Sequence, residues 1–159
     1  MSETAAELAR VAAQEQALEL SHFSPADAWW LGRELHRLAE ARNAPVAIEI
    51  VRGGVTLFSA LLPGATADNQ GWIRRKIAIS NRFEQSSYAV GLKLRAGDNL
   101  FERFGLDYRT YAAAGGAVPI RVAGTGMIGA VALSGLPQLD DHELVVAALL
   151  ALKAHQENA

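Results

Sequence analysis

One stretch of the chain gathers residues able to do chemistry: Trp72-Ile73-Arg74-Arg75-Lys76-Ile77-Ala78-Ile79-Ser80-Asn81-Arg82-Phe83. Wound as a helix, it places Trp72, Ile79 and Phe83 within about 40° of one another, with Lys76 beside them. A lysine inside an apolar stripe needs a reason. Its ammonium must reach solvent, pair with a carboxylate or face a ligand, because burying it alone costs several kcal/mol. Arg75 and Arg82, seven residues apart, flank the same stripe, and the three cations together could receive a carboxylate or phosphate. The competing reading is a solvated or inter-subunit salt-bridging face of Arg74, Arg75 and Arg82, with Lys76 snorkelling outward along its apolar stem.

The four histidines, His22, His36, His142 and His155, stand in no metal-ligand spacing, so no metal site is expected. His142 has the most defined context, in the first turn of a C-terminal helix between Asp141 and Glu143. The acids favour its protonated form while the helix N-terminus opposes it. It follows Ser134-Gly135-Leu136 closely, where a strand ends and a cleft can open. The ligand-binding candidates are therefore Arg75, Lys76, Arg82, Ser134 and His142, and no catalytic residue is assigned. His36, on the same side of its helix as Trp29, reads as a surface residue. The absence of cysteine excludes disulfides, thiolate zinc sites, a cysteine nucleophile and covalent haem attachment. Gly124-Thr125-Gly126 with Gly129 spells a dinucleotide-type glycine string, but strands stand on both sides of it, and that fingerprint must open a helix. It reads as a hairpin turn.

The elements that must position these residues follow from local pattern. Residues 1 to about 20 carry Leu8, Val11, Glu15 and Leu18 at helical steps, a helix with a thin apolar stripe or a loosely held arm. Ser24-Pro25-Ala26-Asp27 opens a helix over about 25–41, with Ala28, Leu31, Leu35, Leu38 and Ala39 on one face and Trp30 directed away from it, toward a subunit or partner interface. Val46–Val51 and Val55–Leu61 form a hairpin across Gly53-Gly54. Residues 63–69 read as loop, 72–84 and 88–95 as helices, and Asp107 as the cap of a short helix through Tyr111. Val118–Val122 and Met127–Ser134 form a second hairpin. Asp140, with Glu143 three residues on, reads as the capping pair of the last helix. The order lacks the strand-helix alternation of a parallel sheet, so helices packed on an antiparallel sheet are expected.

The chain has 159 residues, about one domain, with 15 Lys+Arg against 17 Asp+Glu and a pI near 6.1. That balance lacks the cationic excess of a phosphate-tracking surface, so no nucleic-acid partner is expected. No apolar run is long enough to span a bilayer, and the first residues show no basic-then-apolar pattern. The expectation is a cytoplasmic protein without a membrane partner.

The strings Tyr111-Ala-Ala-Ala-Gly-Gly-Ala-Val-Pro-Ile120, Val122-Ala-Gly-Thr-Gly-Met-Ile-Gly129 and Val131-Ala-Leu-Ser-Gly-Leu-Pro-Gln138 before Asp141-His142, with Trp72–Lys76 and Arg82–Tyr88, resemble the haem-degrading-domain family, also called GlcG-like or HbpS-like. The resemblance covers about residues 25–153 and is nearest to the family's uncharacterised cytoplasmic branch. It implies an α+β fold, profilin-like, three-layered α/β/α, with an antiparallel sheet of about five strands, although local pattern supplies only four. Residues 1–23 would form an N-terminal helical arm and 24–159 a single domain. It further implies a symmetric homo-oligomer that binds a small molecule. Haem is the family's named ligand; in a chain without cysteine it could be held only non-covalently, with His142 the candidate axial ligand. Lys76 matches the lysine of a family helix motif, with Ile77 where that motif has alanine. Two other classes stay open: an enzyme acting on a small acidic metabolite, which the cations permit, and an oligomeric scaffold for protein partners.

Overall fold

Both glycines of the Gly53-Gly54 turn have positive φ, 55° and 83°, the geometry of a two-residue hairpin connection. They join β1 (Ala47–Arg52) to β2 (Val55–Leu61). The second hairpin joins β3 (Ala117–Val122) to β4 (Gly126–Ser134) through Gly124. In the computed structural model, which describes residues 2–159, β1 pairs with β4 from Ala47 opposite Ser134 to Arg52 opposite Gly129. The result is one antiparallel sheet in the order β2-β1-β4-β3.

The two sheet faces differ in side-chain size, and that difference builds the layers. Ile48, Ile50, Val118, Ile120, Val131 and Leu133 point to one side and are buried under α2 (Pro25–Ala41) and α6 (Gln138–Glu157). Ala47, Ala117, Ala130 and Ala132, offset by one residue in their strands, point to the other. On that alanine-lined face α3 (Ala67–Phe83) packs through Ile73 and Ile77. The architecture is the α/β/α sandwich expected. Beside it, α4 (Ser87–Arg95) and the one-turn α5 (Leu100–Arg103) gather around Ile79, Val90 and Phe101. The N-terminal α1 (Glu3–Ala17) is docked on α4 through Val11, Tyr88, Ala89 and Leu92.

Several expectations are corrected. Among the described residues the sheet has four strands, not about five. Where a fifth would lie, along β3, only Leu20 pairs, in a single parallel bridge to Val122. The capped start of α2, where Ser24 and Asp27 form a reciprocal capping box, ends any extension there. Helix α3 begins at Ala67 rather than Trp72, because Thr66 and Asn69 form a capping box inside what reads as loop. Asp107 starts one hydrogen-bonded turn to Thr110 and Tyr111 and no helix. Helix α6 starts at Gln138 behind Pro137 with no side-chain cap, so the Asp140–Glu143 capping pair does not form. Trp30 does not face outward: it is partly buried against the core and stacks on His155 at 4.6 Å, while Trp29 is the exposed indole, 59% accessible.

Candidate functional site

Lys76 leaves α3 toward the junction of β4 and α6, and its ammonium is almost fully enclosed. Nζ donates to the Leu133 carbonyl at 3.2 Å and to Asp141 Oδ2 at 3.3 Å. Asp141, 1% exposed, also accepts the backbone N–H of Leu136 at 3.1 Å and of Gly135 at 3.3 Å. Sequence alone requires a reason for Lys76; the structure supplies a buried ion pair. Two glycines make it possible. A Cβ on Gly116, at φ 142°, would stand 2.3 Å from the Leu133 carbonyl and 2.8 Å from Lys76 Nζ. A Cβ on Gly135, at φ 147°, would meet the Pro45 carbonyl at 2.3 Å. Both positions therefore need glycine on conformational and steric grounds. Burial pushes the Lys76 ammonium pKa down, against the pull of Asp141. Burial pushes the Asp141 carboxyl up to about 6, against Lys76 and the two N–H donors.

The pair lies on the wall of a cleft of about 290 Å³ between α3, the end of β4 and the start of α6, with Asp68, Trp72, Ser134 and Gln138 around it. Ser134 arrives there by strand alternation, on the same face as Ala130 and Ala132. Gln138 Oε1 accepts the Gly115 N–H at 2.9 Å and so holds the loop before β3 against the helix start. On this wall Asp141 offsets the Lys76 charge, the start of α6 carries no side-chain cap, and Asp68 stands on the rim.

The remaining candidates lie elsewhere. The Arg75 guanidinium stacks 4.1 Å over the Trp72 ring and reaches the Tyr108 carbonyl at 3.5 Å, on a separate surface depression with Phe101 and Tyr111. Arg82 is directed to the Phe104 carbonyl at 3.5 Å. The three cations thus do not converge as one anion receptor. His142 is wholly buried beneath α1: its Nε2 lies 2.9 Å from Gln14 Oε1, its ring 4.9 Å from that of Tyr88, and its Nδ1 has no partner. Burial holds its pKa down at about 4. The structure brings Lys76 and Ser134 together and leaves Arg75, Arg82 and His142 outside their cleft. Asp141, the partner that sequence reasoning missed, carried one weak signal: it is an acid close behind the Ser134-Gly135 strand end, and only the fold brings it to Lys76, 65 positions away. Among the described residues no group of three or more His, Cys, Asp or Glu could hold a metal ion.

Residues 23–150 match the family model described as haem degrading protein HbpS-like. The UPF0303 protein of Burkholderia orbicola is 49% identical over 150 residues, which is 94% of this chain and 91% of the relative. Among solved structures, the Ybr137w protein superposes with a TM-score of 0.86 at 32% identity, covering 94% of this chain and 89% of its own. A PduOC–haem complex shares the fold at a TM-score of 0.68 and 18% identity, over 82% of this chain and 94% of its own. The chain belongs to the HbpS-like haem-degrading protein family.

Proposed function

We propose that the protein is an oligomeric small-molecule-binding protein whose ligand, a compact molecule with an anionic group, sits in the α3–β4–α6 cleft. The observation that carries this reading is the Lys76–Asp141 pair, 4% and 1% exposed, on the wall of an open cleft. A buried pair seldom improves stability over apolar residues of the same size, and polar groups converging on a cleft are the usual mark of a binding site. The uncapped start of α6 adds backbone donors on the same side as Lys76. Burial moves the two groups toward each other, the Lys76 ammonium down and the Asp141 carboxyl up to about 6, which favours an enzymatic variant of this reading, in which the pair moves a proton on a small acidic metabolite. The test is calorimetric titration of the full chain with acetate, lactate, succinate and inorganic phosphate. At least one should bind saturably, and Ser134→Val and Gln138→Leu should each weaken it by about tenfold. Binding by none, or binding indifferent to both variants, overturns the assignment; turnover of the bound probe would select the enzymatic variant.

Haem, the ligand in the solved PduOC complex, suits this cleft poorly. Its wall holds no histidine, methionine, tyrosine or cysteine for the iron, nor does the larger, mainly apolar groove of about 680 Å³ between α1 and α4. His142 is closed off by Gln14 and Tyr88. A second reading places haem on the surface instead. His36 shares a shallow depression of about 260 Å³ with Trp29, Phe58, Arg33, Arg37 and Glu40, which supplies an imidazole, an aromatic face and the Arg33 cation for a propionate, Arg37 being paired with Glu34. A Soret titration supports it if saturable binding is lost in His36→Ala and kept in His142→Ala, and rejects it if His36→Ala binds like the parent.

A further inference from the structure

On the other flank of α3, Glu49 presents a different problem. It stands in the middle of β1, on the alanine-lined sheet face, 8% exposed. Its Oε2 is buried with no hydrogen-bond partner. A carboxylate in that state is expensive, and burial pushes its pKa up while the Arg74 charge pulls it down. Arg74 acts on Glu49 through its charge alone, with no hydrogen bond between the two groups. The space between them is a cleft of about 460 Å³, floored by β1 and β4 near the hairpin turns and walled by α3. On that wall Arg74, Ile77 and Asn81 follow one another at helical steps of three and four, so one face of α3 supplies a cation and an amide, and the left-handed C-cap residue Glu84, at φ 52°, adds a carboxylate at the helix end.

We infer that this cleft is a second binding site, for a small zwitterion of the α-amino-acid class, with its ammonium directed to Glu49 and Glu84 and its carboxylate to Arg74 and Asn81. A ligand ammonium supplies the donors that the Glu49 carboxylate lacks. The exposed Arg74 guanidinium, with no carboxylate within 4.0 Å among the described residues, presents the fork that a ligand carboxylate matches. Simple amines would leave Arg74 unused, and simple acids would place like charge beside Glu49. The site lies apart from the Lys76 cleft and shares none of its lining residues.

The experiment is a thermal-shift screen of the full chain against the standard L-α-amino acids, followed by equilibrium dialysis of the strongest binder. One-to-one saturable binding below about 10 mM is expected, a modest affinity for so small a ligand. Glu49→Gln, an isosteric change, and Arg74→Gln should each weaken it by about tenfold or more. On the unaltered protein, the des-amino and des-carboxy analogues of the binder should lose a similar factor, which keeps the test independent of how the variants fold. Ser134→Val should leave binding unchanged, separating this site from the other cleft. No saturable binder, or a binder that tolerates loss of either its amino or its carboxylate group, overturns the inference.

Discussion

At the scale of single residues, the decisive group is Lys76 with its countercharge. Replacing it with methionine keeps the stem and removes the ammonium, leaving the Asp141 carboxyl buried without its cation. Breaking a buried pair from one side costs about 3–5 kcal/mol. The pH dependence has a definite sign. Asp141 has a folded-state pKa of about 6 against an ordinary 3.8, so the folded chain holds this proton more tightly and the group's contribution to stability falls as pH rises through that window. Without Lys76 the window moves higher. Lys76→Met should therefore lie close to the parent in urea denaturation at pH 5 and well below it at pH 8, and Asp141→Asn in the same background should close most of the gap. A gap independent of pH would mean that Asp141 is not the group left stranded.

His142 acts in the opposite direction. Its folded pKa of about 4 lies below the ordinary 6.5, so the unfolded chain takes up a proton first and stability falls as pH drops from about 6.5 to 4. The displacement corresponds to about 3 kcal/mol. The parent should lose that much more than His142→Gln between pH 7 and pH 4, measured by urea unfolding, since Asp141 contributes equally to both proteins. An equal loss would show that His142 is reached by solvent and titrates normally.

At the scale of elements, α1 is tied into the fold by one buried acid. Glu15, 8% exposed, accepts the N–H of Ser86 at 3.0 Å, at the cap of α4, and pairs with Arg121 of β3 at 3.4 Å. Three elements thus meet at one carboxylate. Glu15→Ala should leave the Ser86 donor unsatisfied and cost about 1–3 kcal/mol. Hydrogen exchange should localise the effect to α1 and the first turn of α4, with the central strands still protected; uniform loss of protection would show that α1 is integral to the whole cooperative unit.

At the scale of the whole molecule, the exposed apolar side chains Trp29, Val55, Leu61, Phe104 and Tyr108 leave surface suited to self-association. Light scattering coupled to size-exclusion chromatography should return a multiple of the 17.0 kDa chain mass at micromolar concentration. A monomer would remove the oligomeric part of the proposed function and leave both clefts to be tested on the single chain. No helix of the described residues is long and apolar enough to cross a membrane.

Local sequence determined a good deal of this molecule. The two hairpins were legible because Gly53-Gly54 and Gly124 supply the turn conformations that flanking β-branched runs require, and α2 because Ser24, Pro25 and Asp27 make a complete helix start. The need for a partner at Lys76 was legible too, since a helical wheel shows the lysine among apolar neighbours. What the wheel could not contain is the partner, because Asp141 lies 65 positions away and arrives only when β4 and α6 fold across α3. The same holds for His142, whose first-turn context suggested an available imidazole until α1 closed over it. It holds also for Glu49, an ordinary alternating strand residue until the α3 face is laid over it. Caps and turns are settled by interactions within a few residues; burial, pairing and clefts are set by segments distant in the chain, and only the tertiary structure decided those.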